Sequence, residues 1–278
     1  MKTLADRYST ALVTGASRGL GRAFAAMLRA EGVRVWGTAR DPARLPAADG
    51  IVPVGLDLAD PASIDRAYRD VEAASGGLDL VVNNAGFGLL APFAEREFAE
   101  WRRQLDAVLV GTLQLSHLAL RGLLARGRGA LVNVSSLAAE FPLPFMSGYN
   151  VAKAGLCAFT ESLMIEVAGT GVIVVDFRPG DYRTGFNQTM QTRAQTPAAT
   201  DTPAAVRMRR VRAVLDAHLE AAPAPERAAA DLLRALRRGR SGTVRSGGWR
   251  QTRLASLLAR IAPGSWRRAG AARYFGAS

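Results

Sequence analysis

The sequence is poor in the residues that make disulfides, metal sites and membrane spans. A single cysteine, Cys157, excludes an internal disulfide, and the only two histidines, His117 and His218, are too far apart to suggest a metal-ligand cluster. No apolar run reaches the roughly 18 residues of a membrane span, and the N-terminal segment lacks the apolar stretch of a signal peptide. We therefore expect a cytoplasmic protein whose chemistry runs without a metal.

Lysine is almost absent too, although the chain is strongly basic. Among 36 basic residues only Lys2 and Lys153 are lysines, and the formal net charge is +12. Residues 1–200 carry 20 basic and 19 acidic residues, whereas residues 201–278 carry 16 basic and 5 acidic ones. The excess charge is therefore a C-terminal property. Lysine at position 153 also hints at a task that needs an ammonium rather than a guanidinium.

The basic C-terminal part contains a short amphipathic pattern. Arg253 and Arg260 lie off an apolar stripe at helical spacing, formed by Leu254, Leu257, Leu258 and Ile261. We predict a basic amphipathic extension over residues 250–278, after a surface helix at 225–239 and an edge strand at 242–248. A solvated face is its simplest interpretation. The functional alternatives are docking on an anionic membrane, as in a peripheral membrane enzyme, or on an acidic carrier protein; the diffuse charge does not favour nucleic acid.

Short apolar runs alternate with helical patterns over the first 200 residues. The runs end in polar or glycine-rich residues and begin at Thr10, Val33, Ile51, Leu78, Gly129 and Gly171. The helical windows begin near Gly19, Pro61, Glu95 and Gly148. This order predicts an α/β fold with a doubly wound parallel sheet that binds ligands beyond the carboxyl ends of its strands. We predict one domain over residues 1–249, with a lid at about 185–222.

The first strand is followed by the glycine-rich stretch TGASRGLG, at residues 14–21. Missing Cβ atoms let the backbone approach a pyrophosphate, and the N–H groups that begin the next helix point at its charge. An ordinary loop between strand and helix is the alternative, but the position after the first strand favours phosphate binding. The predicted cofactor contacts here are Gly15, Ser17, Arg18, Gly19, Leu20 and Gly21.

The end of the second strand indicates which nucleotide binds. A carboxylate at this point would bind the ribose 2′-OH of NAD, whereas a guanidinium would bind the extra phosphate of NADP. The sequence has Ala39 where the acid is expected, followed by Arg40, and Arg18 lies close by in the glycine turn. Two unrelated surface arginines are the alternative, which the missing acid disfavours. We predict NADP, in use as NADPH, as the cofactor.

Further polar groups follow the third and fourth strands. Asp57, next to Leu58, is placed to accept a hydrogen bond from the adenine amino group. The fourth strand leads into residues that can wall the ribose and nicotinamide, namely Asn83, Asn84, Ala85 and Gly86. Both sets are equally compatible with simple turns at strand ends, and these residues alone do not decide between the two interpretations.

The chemistry is predicted to depend on a set of three residues that come much later in the chain than the glycine turn. Ser136 ends the fifth strand, and Tyr149 begins a helix with Lys153 four positions on, so that phenol and ammonium share one helical face. The cation is expected to lower the pKa of the phenol from roughly 10 and make Tyr149 a usable acid/base. Ser136 would hold the substrate oxygen. A Tyr-x-x-x-Lys pair is common on helix surfaces, but its combination with the serine and the glycine turn favours catalysis.

Together these motifs resemble the short-chain dehydrogenase/reductase family over residues 8–250. The motifs that carry the resemblance are TGASRGLG, Asp57, NNAG, Ser136, YNVAK at 149–153 and RPG at 178–180. The resemblance implies a Rossmann-like fold, NAD(P) as the hydride carrier and Tyr149 as the proton donor or acceptor.

The resemblance also implies positions for the rest of the cofactor and for a partner subunit. Lys153 would bind the nicotinamide ribose, and the nicotinamide amide would lie along Pro179, Gly180 and Thr184. The segment after Thr184 would be the variable substrate lid. Family members pair as homodimers or homotetramers through helices that correspond here to about 95–125 and 148–168.

One position departs from the family pattern. Members commonly carry an Asn three residues before a helix glycine, where it kinks the helix and holds a water that links the lysine to solvent. Here Val108 stands three residues before Gly111, and a valine cannot hold that water. We favour an ordinary redox enzyme in which proton exchange with solvent is slower, takes another route or is not needed, because losing one member of a proton relay lowers the rate rather than changing the reaction. The alternative is a cofactor-binding non-redox catalyst of cyclisation or elimination, or a nucleotide sensor.

The remaining features indicate the substrate class. The lid and the apolar stretch FPLPF at 141–145 predict a hydrophobic small-molecule substrate. The sequence thus predicts an NADP-dependent oxidoreductase that transfers a hydride between nicotinamide and a carbonyl or secondary alcohol. We interpret Cys157 as a packing residue, the two histidines as ordinary helix positions, and Arg178 as a strand-end cation that could touch a substrate.

Overall fold

The computed structural model describes residues 3–45, 50–186, 190, 202–255 and 261–277. Its strands are β1 (Thr10–Val13), β2 (Arg34–Ala39), β3 (Val52–Gly55), β4 (Leu80–Asn83), β5 (Gly129–Val134), β6 (Val172–Pro179) and β7 (Gly242–Ser246). Within the described residues they form one seven-stranded parallel sheet in the order β3-β2-β1-β4-β5-β6-β7. The doubly wound α/β prediction is confirmed, with β7 as the predicted edge strand.

The burial of the strands explains their composition. β1, β4 and β6 are buried along their whole length, as expected for central strands covered by helices on both faces, whereas the edge strand β3 is largely exposed. The order reverses between β1 and β4, which are neighbours in the sheet. This reversal opens a crevice at the carboxyl ends of these two strands, where ligands bind in such sheets.

Eight α-helices are seen in the described part of the chain. They are α1 (Gly19–Ala30), α2 (Pro61–Ser75), α3 (Phe98–Leu105), α4 (Gly111–Arg126), α5 (Ser147–Glu166), α6 (Pro203–Glu220), α7 (Pro225–Arg238) and α8 (Gly264–Tyr274). The predicted starts of α1, α2 and α5 agree with the structure to within one residue. The start predicted near Glu95 falls on a 3-10 turn (Phe93–Glu95), and α3 begins three residues later.

Two apolar layers cover the sheet. On one face, α1 and α7 bury side chains such as Phe24, Leu28 and Leu232 against the strands. On the other face, α2, α4 and α5 bury Ile64, Leu123 and their neighbours. Because both faces are covered, the sheet leaves only its edges and strand ends for ligands.

A long helix runs from Phe98 to Arg126 through a π-helical turn at Asp106–Val110. By length and composition alone it could cross a membrane, but half of its most apolar window is buried inside the fold. It packs on α2, α5 and the sheet. We therefore describe it as a core helix.

The C-terminal part is only partly as predicted. The side chains of Leu254, Leu257 and Leu258 lie outside the described residues, so the amphipathic stripe remains a prediction. The described backbone has a π-helical turn at Arg250–Ala255, followed by α8, a helix that the sequence pattern did not predict. Most of the first half of the predicted lid also lies outside the description, and α6 forms most of its second half.

Candidate active site

The glycine turn joins β1 to α1 and leaves little room for a side chain at its glycine positions. Gly15 and Gly19 have φ angles of +67° and +56°, in the left-handed region that favours glycine. A Cβ atom on Gly21 would lie 2.2 Å from the carbonyl oxygen of Gly15. The turn thus presents bare backbone at the start of a helix, which fits the pyrophosphate of a dinucleotide.

Hydrogen bonds from the two residues that follow β4 hold this turn in place. The Thr14 hydroxyl accepts from the N–H groups of Asn84 and Ala85, both at 2.9 Å, and Asn84 Nδ2 donates to the Thr14 carbonyl at 2.9 Å. Asn83 behaves differently, since its Nδ2 donates to Ser116 Oγ at 2.8 Å inside the core. Asn83 therefore lies in the interior rather than in the wall of a ribose site, because it is the last residue of a buried strand.

The region expected to select the nucleotide lies beside the turn. The N–H of Ala16 donates to the carbonyl of Thr38 at 2.9 Å, so the turn touches the end of β2 just before Ala39 and Arg40. Arg18 and Arg40 are both exposed there. Each exposed arginine thus lies two residues along the chain from one of the two residues joined by this bond, and their role in binding a nucleotide stays a prediction.

Asp57 and Leu58 follow β3 at the same end of the sheet. Asp57 Oδ1 accepts from the N–H of Ala59 at 3.0 Å, and the Asp57 N–H donates to Ser63 Oγ at 3.1 Å. These bonds form a turn at the strand end, in line with the simpler interpretation. The bond to Ala59 engages Oδ1 of the half-buried Asp57 carboxylate, and an adenine contact of Asp57 stays a prediction.

Ser136 and Tyr149 meet beyond the end of β5. Ser136 Oγ accepts from the N–H of Ala138 at 3.0 Å, which orients the serine at the start of a 3-10 turn. The pKa of Tyr149 is raised to about 12, mainly by burial. A hydrogen bond with the Ser136 hydroxyl lowers this pKa by less than burial raises it, and the charge of Asp181 adds to the increase. The phenol is therefore protonated at neutral pH and lies next to a serine hydroxyl.

Lys153 lies one helical turn further along α5 and is 5% exposed. Its Nζ is 5.8 Å from the centre of the Tyr149 ring and donates to the carbonyl of Val134 at 2.8 Å. Burial lowers the pKa of Lys153 to about 8. The expected lowering of the tyrosine pKa is not found, because the burial that weakens the lysine cation also disfavours the phenolate.

Val108 fills the position where the family pattern has an asparagine. Val108 is 1% exposed. A Cβ atom added to Gly86 would lie 3.6 Å from Val108 Cγ1 and 3.8 Å from Lys153 Nζ, so both side chains border the same point. A hydrocarbon side chain thus lies beside the lysine. The helix still leaves α geometry at this turn, with Gly111 tight against Leu58, so the irregularity does not need the asparagine.

Two polar residues that the sequence analysis missed lie against the predicted nicotinamide region. Gln251 Nε2 donates to Asp181 Oδ2 at 2.6 Å, and Gln251 Oε1 accepts from the Asp181 N–H at 3.3 Å. Pro179 and Gly180 immediately precede Asp181. Thr184 lies against the glycine turn, because a Cβ atom added to Gly19 would be 3.2 Å from Thr184 Cβ. No sequence motif signals Gln251, because 70 residues separate it from its partner.

Three residues judged to be structural prove to have structural partners. Arg178 is buried in ion pairs with Asp176, Glu140 and Glu161, so its guanidinium is occupied within the protein. Burial raises the pKa of Cys157 to about 11, which keeps the thiol protonated and fits a packing role. The His218 ring lies tilted by 35° against that of Tyr274, with ring centres 4.7 Å apart.

An apolar cluster packs against Tyr149. The Tyr149 ring lies 5.6 Å from that of Phe186. The buried members of the cluster are Leu90, Met146, Met190, Val211 and Phe275. Leu143 and Phe145, from the stretch FPLPF, pack against them. Tyr149 thus packs against an apolar cluster while its hydroxyl shares a hydrogen bond with Ser136.

Sequence comparisons agree with this geometry. The family model described as short chain dehydrogenase matches residues 9–195. The chain is 32% identical over 199 residues to the 3-oxoacyl-(acyl-carrier-protein) reductase FabG of Vibrio cholerae, covering 70% of this chain and 82% of that protein. It is also 32% identical over 224 residues to the ketoacyl reductase HetN of Nostoc, covering 77% of each. The chain belongs to the short-chain dehydrogenase/reductase family.

Solved structures support the same assignment. A short-chain dehydrogenase from Streptomyces avermitilis has a TM-score of 0.77 at 29% identity, covering 94% of this chain and 97% of that one. One from Burkholderia cenocepacia in complex with NADP has a TM-score of 0.71 at 25% identity, covering 96% and 98%. The protein is therefore a nucleotide-binding oxidoreductase with a Rossmann-like fold that acts on CH–OH or C=O groups of small molecules.

Proposed function

We propose that the protein is an NADPH-dependent ketone reductase, able to work in reverse as a secondary alcohol dehydrogenase. The observation that carries the proposal is the meeting of the Tyr149 phenol and the Ser136 hydroxyl beside buried Lys153, at the strand ends bordered by the glycine turn. Ser136, Tyr149 and Lys153 are the catalytic residues in this proposal.

Each of the three residues has a distinct task. Ser136 donates a hydrogen bond to the substrate carbonyl oxygen and fixes its position. Tyr149 gives its proton to that oxygen, so that the ketone becomes an alcohol as one hydride reaches the carbon, and solvent returns the proton. Lys153 stabilises the phenolate left on Tyr149. A bound nicotinamide supplies the hydride.

The pKa of Tyr149 favours the reductive direction. A phenol whose pKa is raised to about 12 is fully protonated at neutral pH and available as a donor. Oxidation of an alcohol would need the phenolate, which becomes more abundant as the pH rises. We therefore expect reduction to dominate near neutral pH and oxidation to gain at alkaline pH.

We assign NADPH from the residues at the ribose end. Arg18 and Arg40 are exposed beside the turn, and Ala39 stands where an NAD-binding acid is expected. Arg40→Ala should raise the KM for NADPH about tenfold, with the KM for NADH unchanged, because it removes one charge-assisted phosphate contact. Arg44→Ala, an exposed arginine four residues on, serves as the control. A lower KM for NADH than for NADPH in the unaltered protein would contradict the assignment.

The apolar cluster supports a hydrophobic substrate. Leu143, Phe145 and Phe186 lie around Tyr149, where the group attached to the reacting carbonyl would be. The relatives named as ketoacyl reductases support a ketone within a longer acyl chain. We further propose a homodimer or homotetramer in the cytoplasm. Contact of the basic tail with an anionic membrane or an acidic carrier protein remains a subsidiary proposal.

Replacement of the phenol tests the proposal directly. Tyr149→Phe should lower kcat by about a thousandfold, because general acid catalysis contributes this much, while leaving NADPH binding intact. The measurement is NADPH oxidation across ketones of increasing size. Tyr68→Phe, on α2 in the core away from the site, serves as the control. Undiminished activity in Tyr149→Phe would remove the phenol from the mechanism.

The non-redox alternative depends on Val108 alone. A cyclisation or elimination catalyst would transform its substrate without consuming NADPH, and a sensor would bind it without turnover. Stoichiometric formation of alcohol and NADP from ketone and NADPH therefore contradicts both versions. The intact set of Ser136, Tyr149 and Lys153 favours the redox function.

A further inference from the structure

A buried cluster of ion pairs lies beside residues 135–140, which we call the serine segment because they carry Ser136. The centre of the cluster is Arg178, near the end of β6, whose side chain is 8% exposed. Arg178 Nε donates to Asp176 Oδ2 at 2.7 Å, and Arg178 Nη1 donates to Glu140 Oε1 at 2.9 Å. Breaking either pair would leave an unpaired charge in the interior, so the cluster resists distortion.

The first end of the serine segment is fixed to β6 through Ser135. Its hydroxyl donates to Asp176 Oδ1, the carboxylate oxygen that Arg178 Nε leaves open. Its backbone N–H donates to the carbonyl of Phe177 at 2.9 Å. The residue immediately before Ser136 is therefore held by both its side chain and its backbone.

The other end of the serine segment is fixed through Glu140. The 3-10 turn Leu137–Ala139 joins this residue to Ser136, whose Oγ accepts from the Ala138 N–H at 3.0 Å. The Glu140 carboxylate accepts from the guanidinium at the centre of the cluster, and Arg245 Nε on β7 donates to the same oxygen at 2.8 Å. The two ends of the segment are thus connected to one guanidinium, with Ser136 between them.

The position of the Ser136 hydroxyl matters because it has more than one partner. It shares a hydrogen bond with the Tyr149 phenol, and it lies 3.5 Å from the carbonyl oxygen of Pro179. In the proposed reaction the same hydroxyl donates to the substrate oxygen. A serine segment that is free to shift would let the hydroxyl bind the Pro179 carbonyl instead, and displacements of about 1 Å cost up to about a hundredfold in rate.

We propose that Arg178 is a positioning residue that acts through the serine segment and holds the Ser136 hydroxyl where the substrate oxygen binds. The inference rests on the proposed ketone reductase function and adds to it a residue that acts through other side chains. An arginine suits this role, because its planar guanidinium binds several carboxylate oxygens at fixed angles. A lysine would supply the charge without this geometry.

A double-mutant cycle tests whether the effect passes through Ser136. Arg178→Met should lower kcat for octan-2-one reduction about thirtyfold, while the KM for NADPH stays within about twofold because the glycine turn is unaffected. In a Ser136→Ala background the same change should lower kcat by less than about threefold, since the hydroxyl that it positions is already absent. Equal losses in the two backgrounds would overturn the inference.

Two further arginine variants separate positioning from a general loss of stability. Arg126→Met removes another arginine that donates to a carboxylate, Glu72 at 2.9 Å, and to the Leu78 carbonyl just before β4, at the opposite end of the sheet. It should lower the free energy of unfolding and leave kcat within about twofold. Arg178→Lys should recover part of the kcat lost in Arg178→Met. A kcat loss in Arg126→Met as large as in Arg178→Met would contradict positioning.

A second variant releases only one end of the serine segment. Glu140→Ala leaves Asp176 paired with Arg178, so it removes the far contact without leaving that carboxylate alone in the interior. We expect kcat to fall about tenfold, with a smaller loss of stability than in Arg178→Met. An unchanged kcat in folded Glu140→Ala would overturn the inference.

Hydrogen exchange follows the serine segment without turnover. In Arg178→Met and Glu140→Ala, the amides of residues 137–140 should exchange about tenfold faster, while those of the glycine turn at 14–21 stay unchanged. Arg126→Met should change neither region. Unchanged exchange at 137–140 overturns the inference. If the unaltered protein reduces no ketone with NADPH, the proposed function fails, and the exchange result still decides whether Arg178 holds the segment.

Discussion

The two sides of the proposed active site, the glycine turn and the apolar cluster beside Tyr149, are formed by different kinds of contact. At the glycine turn, which we propose as the nucleotide end, backbone groups would bind the pyrophosphate, whereas the side chains of Arg18, Arg40 and Asp57 would bind the ribose phosphate and the adenine. At the apolar cluster, which we propose as the substrate end, the contacts are made by side chains from five separate stretches, around Leu90, Met146, Met190, Val211 and Phe275. The glycine turn depends on the absence of side chains, and the apolar cluster depends on their packing.

The difference teaches that the two ends tolerate change differently. A turn that must present bare backbone fails when even one methyl group is added. A packed apolar surface accepts changes of size and then selects a different ligand. We therefore expect the nucleotide end to be fixed, and the substrate end to be adjustable.

Among changes that compare these two regions, the largest effect on cofactor binding is expected from Gly21→Ala. Its Cβ would lie 2.2 Å from the Gly15 carbonyl, so the turn must rebuild, and NADPH affinity should fall by about two orders of magnitude or more. Isothermal titration with NADPH measures the loss. Gly270→Ala, where nothing lies within 4 Å of the added atom, is the matched control. Normal NADPH binding by Gly21→Ala would break the comparison.

Lys153→Met, between the glycine turn and the apolar cluster, should have opposite effects on activity and on stability, with a lower kcat and a higher free energy of unfolding at neutral pH. We expect kcat to fall about a hundredfold as phenolate stabilisation is lost. The pKa of Lys153 is about 8 in the folded protein and 10.5 for an ordinary lysine. The lysine therefore binds a proton less tightly in the folded state than in the unfolded state. Below pH 8 this destabilises the folded protein by about 3 kcal/mol, and the cost disappears as the pH rises from 8 to 10.5.

Denaturant unfolding at several pH values measures this second effect. Lys153→Met should be more stable than the unaltered protein at pH 7, and its advantage should vanish above about pH 10. Lys153→Arg keeps a cation at all these pH values and should show no such pH-dependent gain. If the methionine variant is less stable at pH 7, the lysine contributes more through its bond to Val134 than its burial costs.

The smallest effect is expected from Val108→Asn. The new amide would lie beside Lys153 and could hold a water there, so kcat should rise about threefold if proton return limits turnover. Val110→Asn, in the same π-helical turn but exposed, is the control. The solvent isotope effect on kcat gives a second readout. An unchanged or lower kcat would show that proton return does not depend on this position.

The sequence predicted the features that are local along the chain. The glycine spacing at 15, 19 and 21 and the pair Tyr149 and Lys153 are short-range patterns, because one turn of backbone or one turn of helix defines each. The strand and helix order followed from alternating apolar runs. The direction of the Asn83 side chain could not be predicted from the sequence, since whether it points into the core or the crevice depends on distant neighbours such as Ser116.

What the sequence determined by itself was the fold class and the family, because periodicity and short motifs encode both. Only the tertiary structure decided the raised pKa of Tyr149, since burial is set by distant segments and opposes the nearby cation. It alone brought Gln251 and Phe275 to the site, across 70 residues in one case and 126 in the other. Contacts between residues so far apart arise from packing, which leaves no local pattern in the chain.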